Sequence, residues 1–253
     1  MLRIKSEQMK ALEAAAMKHF EDEMLEHMAV FAPRLYEIHG DKIFREVIRL
    51  GIQRAKTYRF TMRGPVQFYI ETMFTLGCDF DSDPQYPWCR EILEDVETQD
   101  ELVRADHLFD VINDYLDAAV GVDSRYVVIA LQRLNNIGPD ILNMITADSK
   151  GSLLAGLKEF YPEKTHIVGK KALSRLIEEG FAVAKKHGID SNKGSALISI
   201  LMFMFGHGVI DDPLYPWIRN TLEDPSIADQ ESRADKLAFK TMTYARAVTE
   251  YLS

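Results

Sequence analysis

The stretch Asp83-Pro84-Gln85-Tyr86-Pro87-Trp88 returns later in the chain as Asp212-Pro213-Leu214-Tyr215-Pro216-Trp217, and behind it Arg90 and Leu93-Glu94-Asp95 return as Arg219 and Leu222-Glu223-Asp224. The two tryptophans are 129 residues apart, and that offset, with no gap, carries Gly51 onto Gly180, Ala55-Lys56 onto Ala184-Lys185, Met73-Phe74 onto Met202-Phe203 and Gly77 onto Gly206. It also lays Arg104-Ala105-Asp106 over Arg233-Ala234-Asp235, and Tyr115 over Tyr244. Roughly a third of the positions between residues 48 and 115 coincide in this way, concentrated at glycines, aromatics and caps, which is the mark of an internal repeat. The fold is therefore expected to be two similar units in tandem.

Within a unit the apolar spacing is helical. From Glu7 to Phe31 the residues Met9, Leu12, Met17, Phe20, Met24, Leu25 and Met28 recur every three to five positions, and Pro33 ends or kinks that helix. A second helix is expected from Asp41, as N-cap after Gly40, to Tyr58; Gly51 inside it costs about 1 kcal/mol relative to alanine and so marks a close helix crossing. A third, from Pro65 to Leu76, is apolar nearly all round and stops at Gly77. Asp83 can cap a short helix with Pro84 at its first position, and a long helix follows from Gln99 to Val120, ended by Gly121. The same plan recurs at the 129-residue offset, and no alternating strand pattern is present. The expected class is all-α: two tandem repeats of about five helices each, covering 1–121 and 139–253, with a bridging helix in 122–138 punctuated by Gly138-Pro139.

The repeated turn has an architectural reading. Capped by its Asp, it aims a Tyr and a Trp into a groove between helices, where each aromatic buries about 150–250 Å². In that reading Asp83, Pro84, Tyr86, Pro87 and Trp88, and Asp212, Pro213, Tyr215, Pro216 and Trp217, serve the scaffold. Arg104 and Arg233, each two residues before Asp106 or Asp235, close the turns by pairing bidentately with Asp83 and Asp212. The competing reading places the same Arg and Asp residues along a ligand cleft.

Chemistry-bearing patterns are few. Asp79-Phe80-Asp81-Ser82-Asp83 opens like a calcium loop, but Pro84 stands where the loop needs glycine and Arg90 where it needs Glu. It reads better as a solvated acidic loop, and because the second copy replaces it with Gly208-Val209-Ile210, Asp79, Phe80 and Asp81 are candidates for contact with a protein partner. His19, Glu23 and His27 share one helix face, yet the two histidines lie about 12 Å apart along the axis and cannot converge on one metal ion. Lys150-Gly151-Ser152 and Lys193-Gly194-Ser195 lack the upstream glycine and strand of a phosphate loop and read as helix starts. There is no Gly-x-Ser-x-Gly, and neither cysteine has a neighbouring His. No catalytic residue, metal ligand or cofactor site is assigned.

A net charge of −9 with interspersed Lys and Arg excludes a phosphate-backbone partner. Cys78 and Cys89, too few for a disulfide scaffold or a zinc cluster, are expected as free thiols. The charged start Met1-Leu2-Arg3-Ile4-Lys5-Ser6-Glu7 lacks the apolar run of a secretory signal, and the longest apolar stretch, Leu197 to Phe205, is too short to span a membrane. A cytoplasmic location is expected.

The pattern Gly51, Ala55-Lys56, Met73-Phe74, Gly77, Phe80-Asp81, Asp83-Pro84, Pro87-Trp88, with Leu2-Arg3-Ile4, Gln8-Met9 and Gly40 before it, resembles a family of all-helical bacterial proteins often encoded beside type VI secretion genes, among spike, PAAR-repeat and toxin proteins. The second half follows the pattern less closely. The resemblance implies a non-enzymatic adaptor, chaperone or immunity protein whose partner is a secreted toxin or spike-associated protein. The alternative is a small-molecule binder or enzyme using the cleft between the halves.

Overall fold

The amphipathic pattern at the start of the chain folds as α1 (Ser6–Phe31), and Pro33, whose missing N–H costs nothing at a first helical position, opens α2 (Pro33–Thr57). The structure is a computed structural model describing residues 6–136 and 149–252, so Leu2-Arg3-Ile4 and Gly138-Pro139 lie outside the described residues. Gly40 interrupts α2 at φ +64°, so its second segment begins at Asp41, the expected cap, whose carboxylate accepts a hydrogen bond from the Tyr36 hydroxyl across the break (2.6 Å). α3 (Arg63–Leu76) is largely buried and stops at Gly77, where φ is +102°. The short helix α4 (Pro87–Leu93) begins at Pro87 and not at Pro84. The residues between are spent on a turn: Asp83 accepts the Gln85 amide on its side chain (2.8 Å) and the Tyr86 amide on its carbonyl (3.0 Å). α5 (Glu101–Ala119) is capped by the Asp100 carboxylate, which accepts from Leu102 N.

After a 3-10 turn at Val122–Ser124 comes α6 (Arg125–Asn135), the expected bridge, followed by α7 (Ser149–Phe160). The second half then runs through α8 (Pro162–Lys186), broken at Gly169 with φ +79°, α9 (Asn192–Phe205), α10 (Pro216–Leu222) and α11 (Gln230–Leu252). α8, α9 and α10 begin and end 129 residues after α2, α3 and α4. The fold is all-α, with no strand among the described residues, and no described helix is long and apolar enough to cross a membrane.

Burial of the apolar stripes produces two cores. One gathers α1 to α5 around Phe44, Ile48, Tyr69, Ile70 and Met73; the other gathers α6 to α11 around Leu173, Ile177, Leu201 and Phe203. The expected close crossings occur at corresponding places. A Cβ on Gly51 would lie 2.6 Å from Ile70 Cγ1, and one on Gly180 would lie 3.0 Å from Ser199 Cα, so α2 meets α3, and α8 meets α9, almost backbone to side-chain root. The bridge α6 packs against α11.

Candidate functional site

Where the halves meet, α3 and α9 end on glycines that face one another. A Cβ on Gly77 would lie 2.7 Å from Phe205 O, and one on Gly206 would lie 3.0 Å from Leu76 O. The first amide past each glycine is held by a carboxylate from the opposite half: Asp212 Oδ2 accepts from Cys78 N (3.0 Å), and Asp83 Oδ2 accepts from His207 N (2.7 Å). The turns are exchanged in the same sense. Leu214 is buried in the first core, and Gln85, at the matching place in the other turn, donates its side-chain amide to Met202 O (3.2 Å). Each repeated turn therefore secures the half it does not belong to.

These donors explain why the expected arginine pairs do not form. Asp83 and Asp212 already accept amides on both oxygens and sit on the seam. Arg104 instead donates to Leu93 O (3.0 Å) over the Phe60 ring, and Arg233 donates to Ile227 O (2.8 Å). Asp106 is exposed, and Asp235 pairs with Lys193 at the surface. Burial pushes the Asp83 and Asp212 carboxyls upward, with the amide donors pulling the other way.

The acidic loop is also different from its expected form. Phe80 is fully buried against Tyr69, and Asp81 is buried, accepting from the hydroxyls of Tyr58 (2.9 Å) and Tyr69 (2.8 Å). Asp79 pairs with Arg54. Arg54 of α2, Tyr58 just past its end and Tyr69 of α3 turn a guanidinium and two phenols onto this loop, so its acids are partnered inside the fold and neither Phe80 nor Asp81 presents a surface to a partner. At the rim, Ser82 Oγ lies 3.1 Å from His207 Nε2, and His207 Nδ1 lies 3.5 Å from Glu179. This hydroxyl, imidazole and carboxylate come from both halves, which is why no local motif announced them; Ser82 Oγ also donates to its own loop at Asp79 O (3.2 Å).

Beside the seam lies a chamber of about 230 Å³. Its walls come from Tyr86 and Tyr115 of the first half, Tyr215 and Tyr244 of the second, and Val127 and Leu131 of α6. The tyrosines are braced in two matching fans: Tyr86 meets Tyr115 edge-on at 5.1 Å, and Tyr215 meets Tyr244 edge-on at 5.9 Å. Trp88 and Trp217 pack behind Tyr115 and Tyr244, at 6.0 and 5.9 Å, and do not line the space. The tyrosines of the repeated turn thus do more than fill a groove, while its tryptophans hold them in place.

One residue of the chamber breaks the correspondence between halves. Lys164, in the first turn of α8, is 5% exposed, whereas the residue at the same place in α2 is Leu35, packed on the first core. Its ammonium donates to Phe203 O and to the Tyr86 hydroxyl (3.3 Å) and lies 4.9 Å from the Phe203 ring centroid. Among the described residues no carboxylate forms an ion pair with it, and burial pulls its amine down to about 8, with the charge of Asp83 acting in the other direction.

The other sequence candidates have ordinary partners. Lys193-Gly194-Ser195 starts α9, where Ser191 Oγ accepts from Gly194 N, and Gly151 and Ser152 fall in α7. His19 lies 3.5 Å from Glu23, which also pairs with Arg63, and His27 contacts Glu71 at 2.6 Å. Cys78 and Cys89 are buried free thiols. Comparison with known proteins finds no family model, no curated protein and no solved structure that matches the chain.

Proposed function

We propose that this chain is a small-molecule-binding protein and that the tyrosine chamber is its recognition site. The observation that supports this most is Lys164. A buried ammonium with no ion-pair partner among the described residues is costly, the other half fills the same place with Leu35, and the two hydrogen bonds that Lys164 makes to the scaffold are ones its counterpart does without. Rigid aromatic walls with a few polar groups are the usual make-up of a small-ligand pocket, and at about 230 Å³ the chamber suits a ligand of one substituted ring. A fragment screen by amide NMR tests this: small aromatic probes are expected to shift the signals of Lys164, Tyr215 and Val127, and a chamber-filling Val127→Phe variant should abolish those shifts. Shifts scattered over the surface, or undiminished in the filled variant, would refute the reading.

A second reading is the adaptor or chaperone for a secreted toxin that the family resemblance implies. What favours it is α1, whose residues Glu7 to Ala16 are all exposed, with Met9 at 46% and Leu12 at 57%. Helical segments this short are marginal in water unless packed on something. In that reading a tagged protein co-expressed with the neighbouring toxin retains it, and a Met9→Lys/Leu12→Lys variant releases it. Loss of secretion in the variant would indicate an adaptor, and self-poisoning an immunity protein.

A further inference from the structure

The chamber reading can be taken one step further, to the class of ligand, and the following rests on it. We infer that the chamber takes a compact organic monoanion, an aromatic carboxylate of about ten heavy atoms, with its carboxylate on Lys164 Nζ and its ring among the four tyrosines.

The inference comes from counting donors and charges. An ammonium has three hydrogens, and Lys164 uses two of them, on Phe203 O and Tyr86 OH. Among the described residues the third has no oxygen acceptor, and the ammonium faces only the Phe203 and Tyr86 rings, at 4.9 and 5.8 Å from their centroids. The phenols of Tyr86, Tyr115, Tyr215 and Tyr244 line the same space; Tyr115 donates to the Tyr86 oxygen (3.5 Å), and Tyr86, which accepts from both Tyr115 and Lys164, has its own hydrogen to offer an anionic oxygen. Asp83 acts on Lys164 through space and offsets part of its charge, but its oxygens are filled by Gln85 N, Gln85 Nε2 and His207 N, so it does not take the ammonium's third hydrogen. Among the described residues no Asp or Glu lines the chamber, and Lys164 is its single cationic lining residue. A cation would therefore find an ammonium and no lining acid to accept it, and a dianion such as a phosphate monoester would bring a second negative charge with no second cation to meet it. A monoanion matches the one charged donor that the lining offers. The flat, edge-on tyrosine pairs suit a ring, and an apolar cavity of about 150 Å³ is known to accept benzene, so the larger space here has room for a ring and a carboxylate.

Benzoate, benzamide and benzylammonium are matched probes differing in charge. Titrated into the full chain and followed by amide NMR, benzoate is expected to bind at least about tenfold more tightly than benzamide, the ratio expected of one charged hydrogen bond, and benzylammonium not to bind. In Lys164→Met, with folding checked by circular dichroism, benzoate should lose at least about tenfold while benzamide is unaffected or improved. Benzamide or benzylammonium binding as tightly as benzoate to the native chain would overturn the anion assignment and leave the chamber reading intact. Undiminished benzoate binding to Lys164→Met would remove Lys164 as the counter-ion. If none of the three shifts any chamber signal, the chamber reading falls and the ligand class falls with it.

Discussion

Replacing Lys164 by methionine should make this protein more stable, and the size of the gain can be worked out. Burial lowers the amine from 10.5 to about 8. At roughly 1.4 kcal/mol per pK unit, holding the protonated lysine in the fold costs about 3 kcal/mol at neutral pH. Methionine removes that cost and keeps most of the side-chain volume, but withdraws a donor from Phe203 O, a loss on the order of 1–2 kcal/mol. The net expectation is a gain of about 1–2 kcal/mol at pH 7, read as a higher urea midpoint with unchanged slope, using the fluorescence of Trp88 and Trp217. The pH dependence separates this from a packing effect. Below pH 8 both folded and unfolded chains hold the proton, and the folded chain bears the full cost. Between pH 8 and 10.5 the unfolded chain holds more protons than the folded one, so the lysine's contribution makes stability rise with pH. The variant lacks this contribution, so its advantage should shrink by about 1.4 kcal/mol per pH unit above 8. The phenols of Tyr86, Tyr115, Tyr161, Tyr215 and Tyr244 line the same space and are common to both proteins, whereas Asp83, acting on Lys164 through space, loses the downward pull of the ammonium in the variant, so the comparison is read above pH 8, where the lysine itself titrates. A variant destabilised by more than about 1 kcal/mol at pH 7, or a difference independent of pH, would refute the reasoning and make Lys164 a structural residue.

Other parts of the seam give their own expectations. Asp83→Ala strands the amides of His207 and Gln85, and Asp212→Ala those of Cys78 and Leu214, so each should lower stability by about 2–4 kcal/mol; because each turn secures the other half, denaturation should remain a single transition, and two resolved transitions would contradict the interlock. Gly77→Ala puts a Cβ at 2.7 Å from a backbone oxygen at φ +102° and should cost more than about 3 kcal/mol, whereas Gly40→Ala, with nothing within 4 Å, should cost only the backbone strain, about 1 kcal/mol; equal thermal shifts for the two would refute the close approach. Burial pushes both thiols up, Cys78 beside Asp212 in particular, so a disulfide reagent at pH 8 should label neither in the native chain and both after unfolding. Prompt native labelling would show that one of these sites is open.

What could be read from the sequence divides along a physical line. Helix stops, breaks and close crossings depend on local chemistry, and Gly40, Gly51 and Gly77 announced them because only glycine supplies the required φ or the missing Cβ. What Asp83 and Asp212 hold depends on which amides lie near them in space, and Arg104 and Arg233, expected as their partners, bond elsewhere; the donors, His207 N and Cys78 N, come from the other half. Asp81 looked solvated for the same reason, since the phenols that donate to it belong to Tyr58, just past α2, and Tyr69 on α3. Lys164 could have been found. Laid over the first half at the 129-residue offset, it falls on Leu35, and a lysine replacing a leucine one turn into a helix with a buried stripe conflicts with the pattern unless it serves something other than packing. Matching residues of the two halves line the chamber, Tyr86 and Tyr115 from one and Tyr215 and Tyr244 from the other, so a single charge can stand there only where one half has departed from the other. The divergence at Leu35 and Lys164 is therefore the place where this seam differs in kind from a mere joint: it gives one side of an otherwise matched aromatic lining a buried ammonium, and the proposed selection of ligands by charge as well as by shape rests on that one exchange.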